Sequence, residues 1–357
     1  MKILYSLLIV LILSMVIGIS VFFYKFKDSK ILSFPQQENT SNFNKEQNAY
    51  NNNDFESASS ILDKKLAVNN QDIDALLAKA TVLAQQGSLN FKEKSLGDQA
   101  RVFVNNALQI DPAYSPSFTI LGYTYEIQEN YVEAHKAYDK AILLDAQNYQ
   151  ALSQKAHAYD LQGNIKEAKN YYEKALAINP NDQKTLSGYG RILIISGNIE
   201  KAKTVFEKVI NSENVRVSAE AYYTLGSLNE KKTYSQVAED YYANAIATDP
   251  TLPMAYVGFA KEEFKKALET KDKVESQKLI DSSFANLETA LKINPNQSYA
   301  SLQLAIQMMT IGNKDFALKV LERLSKNTFN DITLNQQDRE NLQIIAINMI
   351  KTINKGK

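Results

Sequence analysis

The chain has 357 residues, and its 40 Lys and Arg are matched by 40 Asp and Glu, so the net charge is zero. The basic excess of a phosphate-backbone binder is missing, which argues against nucleic acid as the principal partner. Cysteine is absent, which removes disulfides, thiolate metal sites and a cysteine nucleophile, and 12 glycines and 7 prolines are few enough for a mostly helical chain.

Residues 3–24 read ILYSLLIVLILSMVIGISVFFY, a run without a charge, preceded by Lys2 and followed by Lys25, Lys27 and Lys30. About 20 apolar helical residues cross a hydrocarbon core of about 30 Å, so residues 1–27 are expected to form one transmembrane or signal-anchor helix. A cleaved signal peptide is the rival reading, with Gly18 and Ser20 at small-residue positions, although residues 21–24 prolong the run beyond an ordinary signal core. The lysines after the span favour a cytoplasmic side for the rest of the chain. The basic start and apolar run favour export, and the expected location is a single-pass membrane protein with an extracytoplasmic repeat domain. Residues 28–41 are polar, carry Pro35, and read as a linker.

From about residue 39 the chain repeats. Ala107, Ala141, Ala175, Val209, Ala245 and Ala290 hold equivalent places, and Pro112, Pro180, Pro250 and Pro295 follow four of them at a fixed distance. A second small-residue series runs through Ala80, Gly122, Ala156, Gly190, Gly226, Ala260 and Ala305. Both share a basic step of 34 residues.

This pattern resembles the tetratricopeptide repeat family, a 34-residue helix-turn-helix with a small–large packing code and a closing proline. Residues 115–148 supply Phe118, Leu121, Gly122, Tyr125, Tyr131, Ala134, Tyr138 and Ala141 in the family's places. Units 149–182, 183–216 and 219–252 follow the same code, the second of them through Leu186, Gly190, Gly197, Ala202 and Phe206. Unit 39–72 is degenerate; unit 73–114 carries extra residues near 88–95; unit 253–297 carries more around 265–281, whose glycine- and proline-free sequence predicts two lengthened helices. The resemblance implies an all-α fold, a right-handed superhelix (α-solenoid) of about eight units over 42–331. Residues 332–357 then supply a capping helix and tail, since the end of a repeat array needs cover. Ile344 and Ile347 on that helix leave a homo-oligomer contact as its second reading.

The search for chemistry finds little. His135 and His157 are the only histidines and belong to no metal-binding motif; Gly188-Tyr189-Gly190 lies inside an expected helix and reads as close helix packing; Asp72 and Asp74 read as helix-start residues. No catalytic group, metal or cofactor is therefore assigned.

In the family, first helices line a concave groove that holds peptides. By register, the expected groove residues are Tyr123 and Glu126, His157 and Asp160, Arg191 and Ile194, Ser227 and Glu230, and Lys261. Tyr123, His157 and Arg191 form the expected centre, in units 115–216. The lysine–asparagine clamp of some chaperone-binding members is missing, since Thr119, Ser153 and Ser187 occupy those places. The function expected is a membrane-anchored scaffold that recruits proteins or peptides, in an envelope or secretion complex. The alternative is an extracytoplasmic accessory protein that binds polysaccharide or cell-wall material, with Tyr123 and Tyr223 as its stacking rings.

Overall fold

The computed structural model describes residues 45–46, 49–50, 54–89, 95–212, 214–331, 334 and 336–355. The expected membrane segment and the linker lie outside these residues. No described helix is long and apolar enough to cross a membrane. Among the described residues there are sixteen α-helices, one short 3-10 turn and no strand. They fall into two compact units, one of the described residues up to Asn198 and one of those from Ile199 onward. The division falls between the two helices of unit 183–216, where the sequence leads one to expect a single uninterrupted body.

The first compact unit holds α1 (Phe55–Val68), α2 (Ile73–Leu89), α3 (Ser95–Ile110), α4 (Ser115–Glu126), α5 (Tyr131–Leu144), α6 (Tyr149–Leu161), α7 (Ile165–Ile178) and α8 (Gln183–Ile195). Helix starts follow from side-chain caps, which satisfy backbone N–H groups that have no intrahelical acceptor. Asp72 accepts from the Ala75 N–H at 3.0 Å, Asn148 from Ala151 at 2.9 Å and Asp182 from Thr185 at 2.9 Å. Within the regular repeats 115–148 and 149–182 the turn from first to second helix is tight. It needs one residue of positive φ followed by a capping Asn: Gly163 (φ 75°) and Asn164 in one unit, Glu129 (φ 63°) and Asn130 in another.

Packing follows the small–large code. A Cβ placed on Gly122 would strike the ring of Tyr138 on α5, so only glycine lets that fully buried ring lie across α4. Gly188 has the same role against Tyr172, whose hydroxyl would stand 2.5 Å from an added Cβ. This is the close packing expected of Gly188-Tyr189-Gly190. Ala107, Ala141 and Ala175 are fully buried as well.

The second compact unit holds α9 (Ile199–Val209), α10 (Val215–Leu228), α11 (Gln236–Thr248), α12 (Pro253–Glu269), α13 (Lys273–Ile293), α14 (Ser298–Thr310), α15 (Lys314–Asn327) and α16 (Gln336–Lys355). The expected insertion is α12 at 17 residues and α13 at 21, against 12 to 14 in the regular hairpin of α4 and α5. Its physical use is plain. The turn between α10 and α11, residues 229–235, is longer than the equivalent 127–130, and the extended α12 braces it. Glu262, fully buried, accepts from the Ser235 N–H at 2.9 Å; Glu269 accepts from the Tyr234 N–H at 2.9 Å; Lys265 donates to the Lys231 carbonyl at 2.7 Å. At the end of the chain, α16 puts Leu342, Ala346, Met349 and Ile353 into one core with Leu321 and Leu324. Burying such side chains contributes about 1.5–3 kcal/mol each for the larger ones. Ile344 and Ile347 stay 55% and 38% exposed.

Candidate functional site

Six of the nine residues expected to face a groove do not stand free. They come together in acid–base pairs that tie one repeat to the next. His157 Nδ1 on α6 lies 2.7 Å from Oε1 of Glu126 at the end of α4, and Glu126 Oε2 accepts from the Tyr138 hydroxyl at 2.9 Å. Arg191 on α8 pairs with Asp160 on α6. In the second compact unit Lys261 on α12 pairs with Glu230, whose Oε1 accepts from the Tyr242 hydroxyl at 2.6 Å. Tyrosine, acid and base recur three units apart in the same register: Tyr138, Glu126 and His157, then Tyr242, Glu230 and Lys261.

The electrostatics agree with mutual neutralisation. Burial pushes the Glu230 carboxyl up, but Lys261, Lys265 and the hydrogen bonds from Lys261 and Tyr242 outweigh it, and the carboxyl titrates below its usual range. The Tyr138 and Tyr242 hydroxyls are pushed well up, first by burial and then by the carboxylates they face, so both remain donors. Burial pulls the Arg191 guanidinium down to about 10, which leaves it charged at neutral pH.

Tyr123 requires a correction. It is 0% exposed, and its hydroxyl donates to Gln85 Oε1 at 3.0 Å on α2, so it is part of the interior rather than a groove-facing ring. The physical reason is register: one position past Gly122, a ring this large reaches the preceding first helix and packs there. Glu126, Asp160 and Ile194 are also buried. The row Tyr123, His157, Arg191 is thus a sequence of closed contacts, and the polysaccharide reading loses one of its two rings.

An open recess exists elsewhere, within the second compact unit. Its walls come from three first helices: Tyr223 and Ser227 on α10, Val257 and Lys261 on α12, and Leu302 and Gln303 on α14. Met254, Gly258 and Tyr299 complete the floor, while Glu230 and Tyr242 close one side. About 40 Å³ is open to the centres of water-sized molecules. Gly258 matters for packing, because a Cβ there would strike the Tyr242 ring, and its bare backbone lets that ring lie against α12 at the side of the recess. Ser227, Glu230 and Lys261 are legible in the sequence as groove residues. Met254, Val257, Gly258, Leu302 and Gln303 are not, though setting the repeats against one another shows where side chains shrink.

Other clusters do not make a site. His135 stacks on Tyr159 with centroids 4.2 Å apart, and Tyr159 on Tyr171 at 5.6 Å, so these rings cover one another's faces. Among the described residues no group of three His, Asp or Glu could hold a metal ion.

Stacked helical hairpins with glycine–tyrosine interlocks and capped, proline-closed turns define an α-helical repeat protein. Residues 115–148, 161–226 and 219–252 match models described as tetratricopeptide repeat, so these stretches carry tetratricopeptide repeats. Two of the three matches have the bounds of units read from the periodicity. No curated protein matches the sequence. Among solved structures, the anaphase-promoting-complex hetero-tetramer Cut9-Hcn1 superposes with TM-score 0.62 at 16% identity, over 87% of this chain and 55% of that one. The chain thus spans about half the length of that relative. Yeast Tom70 superposes with TM-score 0.53 at 18% identity, over 94% of this chain and 68% of that one. At such identities these likenesses show the fold alone.

Proposed function

We propose that the chain is a non-catalytic, membrane-tethered scaffold that recruits a partner protein through the recess on α10, α12 and α14. One observation carries this reading: three successive first helices line a recess with an apolar floor and polar side chains around it, in a fold commonly used for protein–protein interaction. The tether rests on the uncharged run 3–24, and an extracytoplasmic setting in an envelope or secretion complex rests on the same segment.

The recess is tested by placing an aromatic photo-crosslinking amino acid in the full-length chain at Tyr223, where it replaces a ring that already lines the recess, and separately at Val132, which is 66% exposed far along the sequence. A discrete protein adduct is expected at position 223 and none at 132. Adducts at 132 with none at 223 would remove the recess as the site. The tether is tested by an alkaline carbonate wash of native membranes. The chain should stay in the pellet, and its release to the supernatant would rule out a spanning anchor.

A further inference from the structure

The walls of the recess contain enough chemistry to specify the segment it takes. This inference rests on the protein-binding reading above. The charged members of the wall cancel: Lys261 pairs with Glu230, and the other oxygen of Glu230 is taken by Tyr242. A charged side chain entering the recess would have to break this pair or lose its own hydration without a counter-charge, and both are costly. What the wall still offers is neutral. Among the described residues the Ser227 hydroxyl and the Gln303 amide, both lining the recess, have no hydrogen-bond partner. An amide supplies a donor and an acceptor together, which matches a peptide unit. The floor is apolar, with Met254, Val257 and Leu302 all less than 10% exposed. Its size limits the guest. A water needs roughly 10–15 Å³ by this measure, so 40 Å³ suits one side chain and not the face of a helix.

We propose that the recess accepts an uncharged, extended peptide segment of a partner protein. One aliphatic or aromatic side chain sits over Met254, Val257 and Leu302, and the adjoining peptide unit pairs with Gln303. Extended chain presents alternate side chains to one side, so the residues flanking the seated one point away and are weakly selected.

The experiment probes the full-length chain with an array of N-acetylated, C-amidated nonapeptides of Gly and Ser that differ only at the central residue. Central Leu, Ile, Met or Phe should bind about tenfold to a hundredfold better than central Asp, Glu, Lys or Arg, the range that burying one such side chain provides. Gln303→Ala should weaken the apolar peptides by several-fold without changing their rank. Ser227→Tyr, which refills the recess, should abolish the preference while the melting temperature holds. Equal or better binding of charged centres overturns the proposal, and so does the absence of any selection at the central position, undetectable binding included. A preference that survives Ser227→Tyr also overturns it, because it would then arise elsewhere. The adduct at position 223 tells the two failures apart: if it forms while the array shows no apolar preference, the protein-binding site stands and only the identity of its guest is wrong.

Discussion

The junction at Glu126 and the junction at Glu230 share the same three residue roles, yet one is sealed and the other is open. In both, a second-helix tyrosine donates to a carboxylate at or just past the end of a first helix, which also pairs with a base on the next first helix. The difference lies in two neighbouring positions. Where the first junction has Tyr123, the second has Ser227; where the first has Gln154, 3% exposed, the second has Gly258. Two large buried side chains hold these positions at one junction; at the other, Ser227 lines the recess and the bare backbone of Gly258 lets the Tyr242 ring lie against it. The tyrosine–acid–base set is therefore a structural fastener between repeats, and the binding surface is decided by the size of what surrounds it.

The sharpest way to break this comparison is to exchange the deciding residues. Tyr123→Ser should be the most damaging substitution considered, by about 3–5 kcal/mol, as for other large aromatics removed from a core. It empties a fully buried site and removes the Tyr123–Gln85 hydrogen bond. Its counterpart Ser227→Tyr points into open space and should change stability by no more than about 0.5 kcal/mol. Urea denaturation of both variants measures the contrast. Similar midpoints for the two would mean that Tyr123 does not seal its junction.

The fasteners themselves should differ in strength with their exposure. Tyr138→Phe leaves the carboxylate of Glu126, with a side chain 2% exposed, one donor short, and should cost about 1–3 kcal/mol. Tyr242→Phe removes the same bond from Glu230, whose side chain is 21% exposed and whose charge is also held by Lys261 and Lys265. Water can replace the lost donor there, and the cost should be about 1 kcal/mol or less. Thermal melts in which Tyr242→Phe is the worse of the two would refute the ranking.

The legible part of the molecule is the part that repetition reports. The 34-residue double series identifies small residues that two helices must share, and it places the helices, the capped turns and the lengthened pair α12 and α13. It also singles out Glu126, His157, Asp160, Arg191, Glu230 and Lys261 as one set, and these residues pair with one another in the structure. It fails on what those residues face. A charge at a given register can look into water or across to a partner one repeat away, and the single-unit pattern does not distinguish the two. Pairing is visible only when acid positions in one unit are set against base positions in the next. Tyr123 is misplaced by the pattern for a related reason: one ring can serve as a stacking platform or as a wedge, and only the depth of the neighbouring helix decides.

A smaller comparison concerns the turns. Glu129 is the one described non-glycine residue with positive φ, at 63°, where the equivalent turn of the next repeat has Gly163 at 75°. A side chain in that region costs about 1 kcal/mol, while the flexibility of glycine in the unfolded chain offsets part of any gain. Glu129→Gly should stabilise by about 0.5 kcal/mol and Gly163→Ala should destabilise by about 1 kcal/mol, since nothing near Gly163 hinders a Cβ sterically and only the backbone opposes it. Opposite signs in chemical denaturation are the test; a loss of stability in Glu129→Gly would mean that the turn tolerates its side chain without strain.

The smallest expected effect is one of pH, and it separates the two histidines, which the sequence alone treats alike. His157 sits against a carboxylate, whereas His135 is stacked on Tyr159 and lies 3.4 Å from the neutral Gln162 amide. Burial pulls the His135 imidazole below its ordinary range; Lys155 acts in the same direction, and Gln162, Asp139 and Glu126 oppose it without prevailing. A base with a lowered pKa in the folded state is held preferentially neutral there, so the unfolded chain binds more protons between the folded pKa and the unfolded value of about 6.5. Stability therefore rises with pH across that window. The contribution is intact above about 6.5, and it is lost as pH falls through that value towards the folded pKa. His135→Gln keeps the side chain polar and removes its titration. The difference in urea midpoint between about pH 5 and about pH 7.5 should be smaller in this variant than in the unaltered chain, with the midpoints converging at the higher pH. If His135→Gln leaves the pH dependence unchanged, the imidazole gains a proton in the fold as readily as in water, and the stack on Tyr159 holds it in either charge state.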